Sequence, residues 1–183
     1  LHLCHHNLES IDTTSTTHKL LLEVCMAAKY EGNSINTPYP QHQQTNNDSP
    51  SQLCTVLARS FADIGDIVRG RDLFHGNPQE KEKRDELEKN LKTIFEKIHS
   101  GLTKNGAKDY YKDDAKKNFY RLREDWWTAN RHTVWEALTC DVKSGSQYFR
   151  ATCNGGQRTK GDCRCPNGDQ VPTYFDYVPQ YLR

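Results

Sequence analysis

The cysteines of residues 151–170 place the strongest constraint on how this chain can fold. The stretch reads ATCNGGQRTKGDCRCPNGDQ and holds Cys153, Cys163 and Cys165 among almost no apolar side chains. It cannot bury enough apolar surface to order itself, so cross-links must hold it in place. Zinc sites and redox sites normally use a C-x2-C step, and the chain contains none. We therefore predict disulfides in an extracellular domain, with structural zinc as the less favoured alternative.

All the cysteines of the chain are expected to form disulfides: Cys4, Cys25, Cys54, Cys140, Cys153, Cys163 and Cys165. Cys163 and Cys165 lie two residues apart, where a bond between them would be strained, so each should reach a different partner. Cys25 and Cys54 fall on or beside apolar helix faces, which makes a bridge between them one candidate pairing. The sequence leaves the pairing open. An odd number of cysteines leaves a free thiol or a partner outside the chain, which agrees with a fragment of a longer polypeptide.

Apolar residues at helical spacing predict four helices. The first covers about residues 18–30, because a run of threonine and serine that could cap it comes before and Gly32 follows. The rest of residues 31–50 is polar and is expected to form a long loop.

The second helix has the clearest end signals. Ser49, Pro50 and Gln52 form a capping-box arrangement at its start, and Gly70 marks its end. One face must be buried because residues of mostly apolar character recur along it: Leu53, Val56, Leu57, Ser60, Phe61, Ile64, Ile67 and Val68.

The third helix begins with the same device, Asn77, Pro78 and Glu80, and ends at Ser100. Its first half has no apolar residue and should project into solvent. An apolar stripe follows in its second half: Leu87, Leu91, Ile94, Phe95 and Ile98.

The fourth helix is predicted over about residues 109–140. A broad apolar face runs along it: Phe119, Leu122, Trp126, Trp127, Val134 and Leu138. Arg123 and Asn130 lie within this face and need buried partners. Trp135 points to the opposite side, where packing on another helix is favoured over a contact surface. The predicted fold is therefore mainly α, a disulfide-stapled helical bundle with long polar loops.

The chain lacks the patterns that usually mark catalysis or cofactor binding. It has no G-x-S-x-G, no phosphate-binding glycine loop and no H-E-x-x-H. Its formal net charge of +1 gives no overall reason to expect a nucleic acid partner. We predict no enzyme activity, no cofactor and no metal site.

Basic residues nevertheless cluster in two places. Residues 104–123 hold seven lysines and arginines against three aspartates, and residues 150–164 hold four against one. A basic helix beside a basic loop could bind sulfated glycans through charge-assisted hydrogen bonds, although an ordinary solvated face is the alternative. The candidate ligand-binding residues are Lys112, Lys116, Lys117, Arg121, Arg158 and Lys160.

Four long motifs resemble one adhesin family: LLLEVCMAAKYEG, LCTVLARSFADIGDIVRGRDLF, NFYRLREDWWTANRHTVWEALTC and CRCPNGDQVPTYFDYVPQYLR. They are similar to the Duffy-binding-like alpha domain of the erythrocyte membrane protein 1 variant antigens of the malaria parasite. The resemblance covers essentially the whole chain and implies a helical adhesion fold that is not an enzyme. It also implies the end of a first subdomain at 1–17, a second subdomain at 18–172 with a Cys-rich loop at 140–165, and the start of a third at 173–183.

The resemblance implies display on the extracellular face of the infected erythrocyte, anchored by a transmembrane segment outside this chain. Expected partners are red-cell glycans or glycoproteins, including sulfated glycosaminoglycan and blood-group sugars in rosetting, together with antibodies and adjacent domains of the same polypeptide. The alternative function is a structural and antigenic module that positions a neighbouring receptor-binding domain and has no receptor of its own.

Overall fold

The computed structural model describes residues 17–37, 51–73, 76–104, 106–112, 118–142, 145–167 and 170–183. The helices are α1 (Thr17–Asn36), α2 (Ser51–Arg69), α3 (Pro78–Ser100), α4 (Ala107–Tyr110) and α5 (Tyr120–Leu138), followed by 3-10 turns at Phe175–Tyr177 and Gln180–Leu182. Within the described ranges there is no strand beyond two isolated bridges in the Cys-rich loop. The predicted mainly α fold is confirmed.

The predicted end signals act as expected in α2 and α3. At the start of α3 the Asn77 side chain accepts from the Glu80 N–H, and the Glu80 carboxylate accepts from the Asn77 N–H. Gly70 ends α2 in the left-handed region, with φ of 70°. The proposed cap at Ser49 and Pro50 lies outside the described residues. The first turns of α3 are largely exposed, as expected, except that Arg84 reaches back to Asp72 at 3.1 Å.

The first helix is longer than predicted, and Gly32 lies inside it. The reason is a close crossing: a Cβ on Gly32 would stand 1.9 Å from the carbonyl oxygen of Leu138 on α5. Only glycine lets the two backbones approach this closely. Gly32 therefore sets the contact between α1 and α5, and its interpretation as a helix end was wrong.

The fourth predicted helix is not continuous. The short α4 ends at Tyr110, and α5 starts only after Phe119, which has φ of 55°. A non-glycine residue in this left-handed region cannot continue an α-helix, so Phe119 marks where the prediction was wrong. Residues 113–117 lie outside the described residues. Phe119 itself is buried and packs on His99.

The core forms where α2 meets α1, α5 and the C-terminal turns. Phe61 of α2 lies between two tryptophans of α5, with ring centroids 5.1 Å from Trp127 and 5.2 Å from Trp135. Trp135 is buried, so the prediction that it packs is confirmed. Val56 is the exception on the predicted buried face of α2, because its side chain is 39% exposed.

Two disulfides hold the Cys-rich loop: Cys54–Cys163 ties it to α2, and Cys153–Cys165 closes it on itself. Cys163 and Cys165 thus reach different partners, as predicted. The suggested pairing of Cys54 with Cys25 is wrong, because Cys54 is bonded to Cys163 of the loop.

The remaining thiols depart from the expectation that every cysteine is bonded. Cys25 and Cys140 are free. Cys25 is half-buried on α1 near Glu136 of α5, and burial, assisted by that carboxylate, raises its pKa to about 11. Cys140 is exposed just beyond the end of α5. Cys4 lies outside the described residues.

Arg123 has the buried partners that its position required. Its Nε donates to the carbonyl of Val68, and both terminal nitrogens bond the Glu88 carboxylate at 2.8 Å. Asn130 is only half-buried and donates to the Trp126 carbonyl within its own helix.

None of the helices in the described part of the chain has the length and apolar character of a membrane span.

Residues 173–183 pack onto α2 and α5 through buried charges. The Asp176 carboxylate is almost fully buried and accepts from Trp127 Nε1 at 2.9 Å and from two nitrogens of Arg131 at 2.8 Å. Arg69 donates to the carbonyl of Asp176, and Arg183 pairs with Asp63 and Asp66. The subdomain boundary at 173 stays a prediction.

Candidate receptor-binding surface

The candidate residues Lys112 and Arg121 lie around α4 together with two further lysines of the same basic cluster, and we call these four the α4 basic group: Lys104, Lys108, Lys112 and Arg121. All four side chains are exposed. The position of α4 is set from α3, because His99 Nε2 lies 3.0 Å from the Lys108 carbonyl oxygen and the His99 ring packs on Phe119. Lys116 and Lys117 lie outside the described residues.

Arg121 has a fixed orientation within this group. Its guanidinium lies 4.8 Å from the centroid of the Tyr110 ring, and Nη1 donates to the Tyr110 carbonyl at 3.1 Å. Tyr111, beside it, donates its hydroxyl to Asp125 of α5, and this hydrogen bond raises the pKa of Tyr111. The remaining donors of Arg121 can form a paired contact with a sulfate or carboxylate.

The second group lies on the Cys-rich loop, and we call it the loop basic group: Arg150, Arg158 and Lys160. Thr159 is buried between Arg158 and Lys160 and accepts from the Tyr148 N–H at 2.9 Å. Arg158 and Lys160 therefore both face solvent, as residues two apart do in extended backbone. Arg150 stacks on Phe149 at 5.2 Å.

Two arginines counted in the basic clusters serve the fold instead. Arg123 is fully buried against α2 and α3. Arg164 donates to the Thr139 hydroxyl at 2.8 Å and to the Glu136 carbonyl, which fixes the loop to the end of α5. Neither guanidinium is available to contact an anionic ligand. Each cluster therefore offers one fewer positive charge to a ligand than the sequence indicated.

The two basic groups are attached to α5 at different places. Arg121 is in the first turn of α5, whereas the loop is anchored to that helix at Trp135 and Glu136. A rise of 1.5 Å per residue over these fifteen residues separates the anchor points by about 22 Å.

Sequence reasoning missed a groove between α2, α3 and α5, with a volume of about 690 Å³. It missed the charged cluster around Asp176 as well. Both are built from residues distant in sequence, so local periodicity carries no signal for them. In the described part of the chain, no three His, Cys, Asp or Glu residues are grouped as metal ligands would be.

Comparison with known proteins matches the whole chain to one family. The profile of the Duffy binding domain matches residues 1–183. The crystal structure of the NTS-DBL1(alpha-1) domain of the Plasmodium falciparum membrane protein 1 (PfEMP1) from the varO strain is 43% identical, with a TM-score of 0.79. That match covers 99% of this chain and 40% of the other.

A second solved structure comes from another class of the same proteins. The ICAM-1-binding PfEMP1 IT4var13 DBLbeta domain is 34% identical with a TM-score of 0.73, and the match covers 100% of this chain and 39% of that one. This chain thus spans about two fifths of the solved chains it resembles. No curated protein sequence gives a significant match. Since the family profile covers every residue and solved members share its helical fold, the chain belongs to the Duffy binding domain family.

Proposed function

We propose that this chain is part of a host-cell adhesin that binds sulfated glycosaminoglycan of the heparan sulfate type on red cells, from the surface of the infected erythrocyte. The observation that carries the proposal is the orientation of Arg121, held on Tyr110 among exposed lysines. A planar guanidinium with a fixed direction loses little side-chain entropy when it pairs with a sulfate. The related DBLbeta domain, which binds ICAM-1, supports a receptor-binding role for the family.

Charge favours a sulfated chain over a neutral blood-group sugar at this surface. Among the described residues, the α4 basic group places four cations against Asp109 and Asp125, and the loop basic group places three against Asp162. Such groups attract repeated sulfates, whereas a neutral sugar gains nothing from the field. Exposed pairs of this kind are weak singly and are screened by salt. Binding should therefore depend on several contacts at once.

The decisive test is heparin binding by the complete oxidised protein that carries this chain, measured over a salt series. Arg121→Glu combined with Lys112→Glu should weaken binding and reduce its salt dependence. Arg158→Glu combined with Lys160→Glu should do the same through the other group. Lys89→Glu, an exposed charge reversal on α3, is the matched control. Unchanged binding in both double variants would refute the site.

Chain length gives a second readout of the same surface. Because the anchor points of the two groups lie about 22 Å apart along α5, a long heparin chain can engage both at once and a short oligosaccharide only one. Long chains should then lose affinity in either double variant. A short oligosaccharide should lose affinity only in the variant that alters the group it contacts. Equal losses at every length would show that the groups do not act together.

The alternative is a structural module that positions a neighbouring domain and presents changing epitopes to antibodies. The observation that favours it is the rigid docking of residues 173–183, where Asp176 and Arg183 are fixed by buried ion pairs. A rigidly docked segment of this kind would fix the orientation of a domain attached to it. This alternative expects no measurable binding to red cells, with or without heparin.

A further inference from the structure

We propose that Asn154, in the Cys-rich loop, converts spontaneously to aspartate and isoaspartate, and that the new carboxylate lowers the positive charge of the loop basic group. Asn154 is followed by Gly155, and both residues are exposed. Glycine has no side chain to hinder an attack by its own amide nitrogen. The modification depends on the chain alone, whereas its effect on heparin binding rests on the function proposed above.

A tight turn, braced by a disulfide, presents this pair to solvent. Cys153 and Gln157 form an antiparallel bridge. The N–H groups of Gly156 and Gln157 both donate to the Cys153 carbonyl, at 2.9 and 2.6 Å. The disulfide between Cys153 and Cys165 holds one end of the turn. Asn154 and the glycine after it therefore lie at an ordered tip in contact with water.

The nitrogen that would react is free of hydrogen bonds. The Asn154 N–H donates to the Gln170 side-chain oxygen at 2.8 Å, but no hydrogen bond within the described ranges uses the Gly155 N–H. The space around Gly155 is open, because a Cβ added there would meet no heavy atom within 4 Å. Hydroxide from the solvent can therefore remove the Gly155 amide proton, and no packed side chain blocks the approach of the Asn154 amide.

The reaction needs water and no other reactant. The deprotonated Gly155 nitrogen attacks Cγ of the Asn154 side chain and forms a C–N bond. The bond from Cγ to Nδ2 breaks, and this nitrogen takes up a proton and leaves as ammonia, so that a succinimide ring remains. Water then adds to either ring carbonyl. Opening at Cγ gives aspartate, and opening at the main-chain carbonyl gives isoaspartate, in which the chain passes through the former side chain.

The product carries a new negative charge within the loop basic group. The bridge partners Cys153 and Gln157 directly precede Asn154 and Arg158 in the sequence. The new carboxylate therefore forms close to Arg158. Among the described residues the loop basic group has three cations against Asp162, and a second carboxylate reduces this balance from +2 to +1. The weaker positive field should attract a sulfated chain less strongly.

Asn33 is a matched comparison in the same chain, since the Asn-Gly pairs at 105–106 and 167–168 each include a residue outside the described ranges. Asn33 is also followed by a small residue, Ser34, but both lie inside α1. Backbone N–H groups within a helix are bonded to carbonyls one turn back, so the Ser34 nitrogen is held. Asn33 should therefore react much more slowly than Asn154.

The modification is tested by peptide mapping of the complete oxidised protein after weeks at body temperature, at neutral and at mildly alkaline pH. After reduction, trypsin releases residues 151–158, in which Asn154 is the one asparagine. Digestion at mildly acidic pH avoids further conversion during handling. Position 154 should convert at least about tenfold faster than Asn33, which reacts only when α1 opens. No conversion at 154, a rate no faster than that of Asn33, or a rate that does not rise with pH would overturn the proposal.

Heparin binding measures the consequence of the new charge. The converted protein should lose affinity by about two- to fivefold, the size expected for one exposed charge contact. Asn154→Asp should lose affinity without incubation, and Asn154→Gln, which closes the ring far less readily, should keep its affinity throughout. Equal affinities before and after conversion, in a protein that binds heparin, would overturn the effect of the charge. If the fresh protein binds no heparin, the proposed function fails together with this effect, while the peptide map still decides the modification.

Discussion

The substitution Asp176→Asn tests whether buried charge holds the C-terminal residues to the helices. The carboxylate accepts three hydrogen bonds, from Trp127 Nε1 at 2.9 Å and from Arg131 Nε and Nη2 at 2.8 Å. An amide of the same shape has one acceptor oxygen, and its NH2 group would face donors. At least one buried donor is then unsatisfied, and the charge of Arg131 has no counterion here.

The expected loss of unfolding free energy follows from the burial of Asp176 and Arg131. Removing one partner of a buried ion pair costs about 3 to 5 kcal/mol. The Asp176 side chain is fully buried, but Arg131 is 13% exposed and also donates to the Thr173 carbonyl. We therefore expect the lower end, about 3 kcal/mol, which is a large share of the roughly 5 to 15 kcal/mol that stabilises a domain.

The assay is equilibrium unfolding in urea of the oxidised protein, followed by tryptophan fluorescence. Asp141→Asn is the control, because it makes the same change at an exposed aspartate. A loss of less than about 1 kcal/mol for Asp176→Asn would refute the reasoning, since that is the cost of an ordinary hydrogen bond. A double-mutant cycle with Arg131→Met should show strong coupling between the two positions.

Three other predictions follow from the packing of the helices and the loop. Gly32→Ala should destabilise the fold by several kcal/mol in the same assay, because its Cβ would meet the backbone of Leu138 at 1.9 Å; a neutral result would show that α1 can shift. Replacing the Cys54–Cys163 disulfide by two alanines should cost about 4 to 5 kcal/mol, since the bridge closes a loop of 109 residues; an unchanged urea midpoint would contradict this. With its pKa raised to about 11, Cys25 has about one thiolate in a thousand at pH 8. Its alkylation, followed by mass spectrometry, should be slow at that pH and accelerate as pH rises toward 11; rapid labelling at pH 8 would count against its burial.

Local sequence rules anticipated those parts of the fold that depend on neighbouring residues. The capping box at Asn77 and the end of α2 at Gly70 are set by side chains within one turn, and both appear as expected. The continuous fourth helix was wrong because Phe119 takes a left-handed conformation, and no end signal such as glycine marks that position in the sequence. Gly32 lies inside α1 because its close contact with Leu138 requires a glycine, and Leu138 is more than a hundred residues away in sequence. No local pattern could reveal it.

The arginines of the candidate site show the same division, because some of them hold the fold together and others are exposed. Helical register did predict a buried Arg123, but nothing local distinguishes Arg164, which fixes the loop to α5, from the exposed Arg158 six residues before it. The difference lies in contacts with Glu136 and Thr139 that only the folded chain provides. Charge reversal at Arg123, Arg131 or Arg164 would therefore reduce the proposed heparin binding by disturbing the fold. Only loss of binding at exposed positions such as Arg121 and Arg158, with stability unchanged, can test whether the proposed surface contacts the glycan.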